Sequence, residues 1–72
     1  MTETATIYVA LLNEGTDCWR PVEAALQNDG SYLIFSEMPE DEEWQFEPAS
    51  RVFCQPKTFS GGKVGLVAIE RA

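Results

Sequence analysis

Five stretches of the chain carry apolar residues at the period-two spacing of β-strands, and turn-forming residues separate them. In residues 5–12, Ile7, Val9 and Leu11 fall on one face and Tyr8, Ala10 and Leu12 on the other. Both faces are apolar, which predicts a strand that is central or covered on two sides. Residues 18–27 set Cys18, Arg20, Val22, Ala24 and Leu26 against Trp19, Pro21, Glu23 and Gln27. A helix over 21–26 competes with this strand, because proline suits a first helical turn and Val-Glu-Ala-Ala-Leu-Gln has good helical propensity. The run is too short to stand alone as a helix, and the turn after it favours a hairpin. Residues 31–35 alternate Tyr32 and Ile34 against Leu33 and Phe35. Residues 51–55 set Val52 and Cys54 against Arg51, Phe53 and Gln55, with Pro56 marking the strand's frayed or edge end. The last strand, 64–70, opposes Val67 and Ile69 to Leu66 and Ala68.

The connections have chemistry of their own. In Glu14-Gly15-Thr16-Asp17-Cys18-Trp19-Arg20-Pro21-Val22 a turn becomes a strand, and Gly15 allows a tight reversal just before Trp19. Pro21 has no N–H for a ladder and belongs on an edge or at a bulge. Trp19 either anchors the core, with Arg20 and Pro21 capping its rim, or lines a recognition groove together with Arg20. Asn28-Asp29-Gly30 is the strongest hairpin signal, supplying positive-φ residues. Phe59-Ser60-Gly61-Gly62-Lys63 is a second hairpin connection. Between the third and fourth strands, residues 37–47 hold six of the twelve acids and read as an excursion over the surface. Residues 1–4 are polar and expected to fray. No repeat or linker divides the chain. It reads as one all-β domain spanning 1–72, a small five-stranded barrel with one long acidic loop, since closure removes the exposed edges of so short a sheet.

Charge and size narrow the function. A 72-residue domain buries about 60% of the surface its unfolded chain exposes, so its stability is marginal. The formal charge of −7 repels phosphate backbones and anionic head groups, so neither nucleic acid nor membrane is an expected partner. With no basic-then-apolar leader and no long apolar run, a cytoplasmic protein is expected. Cys18 and Cys54 are then expected as thiols, a disulfide across the barrel being the alternative.

Candidate chemistry is sparse. The chain has no histidine, which removes Ser–His and Cys–His pairs and the commonest metal ligand. Each cysteine reads as a small buried hydrophobe, and two isolated thiols do not make a zinc site. Glu40-Asp41-Glu42-Glu43 lacks the alternating spacing of a calcium loop. Ser60-Gly61-Gly62-Lys63 lacks the spacing of a phosphate loop. No enzyme, cofactor or metal is expected. Trp44 and Phe46 stand out because solvated loops rarely spend large aromatics. They either pin the acidic loop onto the barrel or form an aromatic anchor, ringed by acids, for a basic or Arg-rich peptide. The candidate interaction surface is Glu40, Asp41, Glu42, Glu43, Trp44 and Phe46, extended by Trp19 and Arg20. A non-catalytic protein- or peptide-interaction module is the expected function. A structural subunit, homodimeric through strand edges, is the alternative.

The residues Glu14-Gly15-Thr16-Asp17, Trp19-Arg20-Pro21-Val22, Asp41-Glu42-Glu43-Trp44-Gln45-Phe46-Glu47-Pro48 and Ser60-Gly61-Gly62 together resemble small bacterial single-domain proteins of unassigned function. The resemblance covers most of the chain and implies an SH3-like barrel but no activity. The run Tyr32-Leu33-Ile34-Phe35, Glu40 through Phe46, and Arg51-Val52-Phe53-Cys54 is more weakly similar to eukaryotic SH3 domains. It lacks their Ala-Leu-Tyr-Asp-Tyr signature and paired tryptophans, so no proline-rich-ligand groove carries over.

Overall fold

The computed structural model describes residues 3–12, 18–59 and 61–72. Five strands follow one another: β1 (Thr4–Ala10), β2 (Trp19–Leu26), β3 (Tyr32–Ile34), β4 (Arg51–Thr58) and β5 (Val64–Arg71). They close into a barrel in the order β1-β2-β3-β4-β5. Every sequential pair is antiparallel, and a parallel bridge between Tyr8 and Val67 joins β1 to β5. No helix occurs among the described residues, and the arrangement is consistent with a small SH3-like barrel. The helix competing for 21–26 is therefore resolved as strand: β2 pairs with β1 from Trp19 to Ala25. Partners on both sides outweigh the local helical propensity there.

The inward residues are those the alternation picks out. Ile7, Val9, Val22, Ala24, Ile34, Val52 and Ala68 are buried in one cluster, with Leu11, Tyr32, Cys54 and Leu66 packed against it. A register shift at Phe53/Cys54 breaks the simple pattern late in β5. Val67 is buried there while Ile69 is exposed, so the two do not share an environment as their spacing predicts. The ladder also reaches further toward the N-terminus than the polarity of residues 1–4 suggests. Thr4 pairs with Ala25, and Glu3 O accepts from Leu26 N.

Gly30 makes the first hairpin possible. Its N–H donates to Gln27 O, its φ is +87°, and Gln27 N donates to Ser31 O. Of Asn28, Asp29 and Gly30, only the glycine takes positive φ. Asp29 instead accepts from both N and Oγ of buried Ser31, at 3.0 and 2.6 Å. This satisfies a polar group that has no access to water. The Phe59–Lys63 hairpin closes through Phe59 N to Lys63 O and Gly62 N to Phe59 O. The turn expected over residues 13–17, including Gly15, lies outside the described residues, as does Ser60.

Pro56 does not end β4. The strand runs on to Thr58, with Pro56 opposite Leu66. The reason is the shortness of β3, which pairs with β4 only at Tyr32–Val52 and Leu33–Arg51. Beyond that, β4 has a strand neighbour only in β5. On β4 the odd-numbered backbone groups serve β5, as Arg51 O and Phe59 N do, so the ring nitrogen of Pro56 points to the open side. Pro21 repeats the device on β2. Leu26 N is directed to β1, whereas Glu23 N and O bond Ser36 Oγ and Phe35 N on the β3 side. Pro21 belongs with Glu23, one step past the last of these bonds, and withholds nothing from the ladder.

Candidate functional site

The sequence groups eight residues as one surface, and the structure distributes them over three environments. Trp44 and Phe46 are core residues, 4% and 6% exposed. The acidic excursion reaches them because its backbone joins the barrel: Leu11 bridges Trp44, Leu12 N donates to Glu43 O, and Gln45 N donates to Ala10 O. The bridge holds Trp44, and Phe46, two residues on, is buried in the same core cluster. Their burial matches the pinning reading. As placed, neither ring offers a face to a ligand, and Arg71 stands 6.0 Å from the Phe46 ring centre.

Arg20 and Glu42 form the second environment. The guanidinium donates through Nε to Glu42 Oε1 at 3.0 Å and through Nη2 to Oε2, a bidentate pair. Trp44 Nε1 donates to the same Oε1 at 2.9 Å. The indole thus buries its apolar body and has its N–H answered by a carboxylate at the surface. Arg20's hydrogen bond, followed by that of Trp44, holds the Glu42 carboxyl below its ordinary range. The same pairing raises the Arg20 value, with Asp41 adding to it through space. Glu42 is the one acid of the 40–43 run that is drawn inward. Glu40, Asp41 and Glu43 are exposed.

Trp19 belongs to a third environment, on the outside of the wall. Trp19 pairs with Ala10 and Pro21 with Tyr8, so Tyr8 and Trp19 share the outer face. Phe59 joins them where the chain leaves β4. Its ring centre is 4.9 Å from Tyr8 and 6.1 Å from Trp19, the latter edge-on at 78°. Lys57 Nζ stands 5.7 Å from the Trp19 ring centre. All three rings are half-buried.

Tyr8, Phe59, Lys57 and Gly65 are the residues that the sequence reading does not single out here. Gly65 makes the cluster possible, because a Cβ there would sit 2.7 Å from Tyr8 Cε2 and 3.1 Å from Phe59 Cε2. A lone glycine inside an apolar strand signals such a close approach. Its partners, however, are set by the parallel β1–β5 closure, which local pattern does not encode.

The remaining chemistry is spent internally. The shallow recess at the first hairpin is lined by Gln27, Asn28, Asp29 and Arg51, and its acid already accepts from Ser31. Cys54 packs against the core, and burial pushes its thiol up to about 11. Cys18 and Cys54 are not joined in a disulfide. Among the described residues no helix is long and apolar enough to cross a membrane. No family model, no curated protein and no solved structure matches this chain.

Proposed function

We propose that this protein is a non-catalytic, cytoplasmic interaction module that binds a basic segment of a partner protein on the outer face centred on Trp19. The single observation carrying this reading is the half-buried cluster of Tyr8, Trp19 and Phe59 on a barrel wall. Rigid aromatic rings, partly desolvated in advance, present contact area at little entropic cost. The charge of −7 and the exposed acids Glu40 and Asp41 favour a basic partner through steering. Trp44 fixes the acidic loop through its hydrogen bond to Glu42, which also holds Arg20. The barrel topology also supports the likeness to SH3-like single-domain bacterial proteins. The alternative, a homodimer joined by strand edges, has less in its favour because proline occupies the open segments of β2 and β4.

The reading is tested on an array of unmodified peptides of graded charge. Basic peptides should bind, Trp19→Ala should weaken them at least tenfold while keeping a wild-type melt, and Glu40→Gln with Asp41→Asn should reduce the salt dependence. Equal binding by wild type and folded Trp19→Ala would overturn it.

A further inference from the structure

The Trp19 ring already has a cation beside it. Lys57 Nζ lies 5.7 Å from the ring centre, on a side chain that is itself exposed. The contact crosses the barrel wall, since Trp19 begins β2 while Lys57 lies near the end of β4, opposite Gly65. The edge of Phe59 fixes the indole from another direction, and Tyr8 in turn packs on Phe59 over Gly65. A ring held in this way is a pre-formed seat for an ammonium, whose attraction to the π-face needs no movement of the ring.

We propose that the Trp19 ring face is a binding site for a single lysine ammonium of a partner chain, and that Lys57 is its built-in competitor. The inference rests on the interaction-module reading and specifies its ligand. The partner's lysine displaces the Lys57 ammonium, which returns to water on its flexible stem at little cost. Lys57 thereby keeps the ring face covered when no partner is present and sets a threshold that a weak cation does not cross. A lysine partner also matches the net charge of the domain, whereas an acidic one would meet repulsion.

The probe is a Gly-Ser peptide carrying one lysine, with a norleucine version as control, titrated against the full chain by amide and indole NMR. Lys57→Met keeps the stem and removes the charge. Lys63→Met removes an equal charge from the following hairpin, where no ring contact is at stake. The expected result is a shift of the Trp19 indole by the lysine peptide only. Lys57→Met should bind roughly two- to fivefold tighter than wild type, the range of an exposed cation–π contact, and Lys63→Met should gain less. If Lys57→Met gains no more than Lys63→Met, the competitor role falls while the module reading stands. If the lysine peptide shifts acidic-loop resonances but not the Trp19 indole, the ring-face site and the Trp19-centred reading both fall and recognition returns to the acidic loop. If neither wild type nor Lys57→Met responds to lysine peptides or to the array, both readings fall together.

Discussion

Glu42 accepts from two donors that belong to different parts of the molecule, Arg20 on β2 and Trp44 in the core, and so ties loop to barrel. Protonation removes the acceptor for both. Because the folded-state value lies below the ordinary 4.5, this contribution is complete above the unfolded value and is lost as pH falls through the folded one. The melting temperature should therefore drop on acidification below about pH 4.5, and Glu42→Gln should flatten part of that drop. Asp29, whose carboxyl Ser31 holds low, contributes in the same direction. A thermal melt series from pH 7 to pH 3 reads both. Trp44→Ala should cost about 3–5 kcal/mol, the range for deleting a buried aromatic, and leave a 72-residue domain close to unfolding at room temperature. Trp44 was conspicuous in the sequence as an aromatic among acids. Pinning to the barrel is one of its two readings there, but the strand it joins is not readable, because the pairing of Gln45 and Glu43 with the end of β1 spans some thirty residues of chain. The same holds for the choice of Glu42, rather than Glu40 or Glu43, as partner of Arg20.

The strands themselves were legible where one face is core and the other is not. Ile7 and Val9, Val22 and Ala24, and Val52 all point inward as their alternation requires. In β5 alternation holds for Leu66 and Ala68 on the core side, while Val67 is buried and Ile69, passed over at the register shift, is exposed. Alternation is uninformative at Pro56, because whether a proline ends a strand depends on how long the neighbouring strand is. β3 is only three residues long, and β4 continues past it. Gly65 sets a further test at this scale. Gly65→Ala should destabilise the domain by about 1–3 kcal/mol, because the added carbon meets Tyr8 and Phe59 in a packed cluster. Near-ultraviolet circular dichroism should report displaced rings in the same variant. Ala49 is the converse case, holding φ at +69° where its N–H donates to Ile34 O. Ala49→Gly should be neutral or raise stability by up to about 1 kcal/mol in a denaturant titration, as relief of the left-handed backbone outweighs the added freedom of the unfolded chain.

At the scale of the whole molecule, the barrel is closed by β1 against β5 through the Tyr8–Val67 bridge, yet β2 and β4 each carry a segment with a strand neighbour on one side only. Pro21 and Pro56 each direct a ring, in place of an N–H, toward the open side, which blocks the addition of another strand. Restoring both donors, as in Pro21→Thr with Pro56→Thr, should increase concentration-dependent association by sedimentation velocity. Association unchanged from wild type would show that the edges are protected by other means. The central claim is a division of labour between two tryptophans, one facing out with a cation beside it and one locked to Glu42 in the core. Their two indole N–H resonances make that claim measurable in a single titration with a basic peptide. The account predicts a saturable shift of the Trp19 indole, accompanied by Tyr8 and Phe59 amides, while the Trp44 indole stays in place. A titration that moves the Trp44 indole and leaves Trp19 still would contradict it and return recognition to the acidic loop.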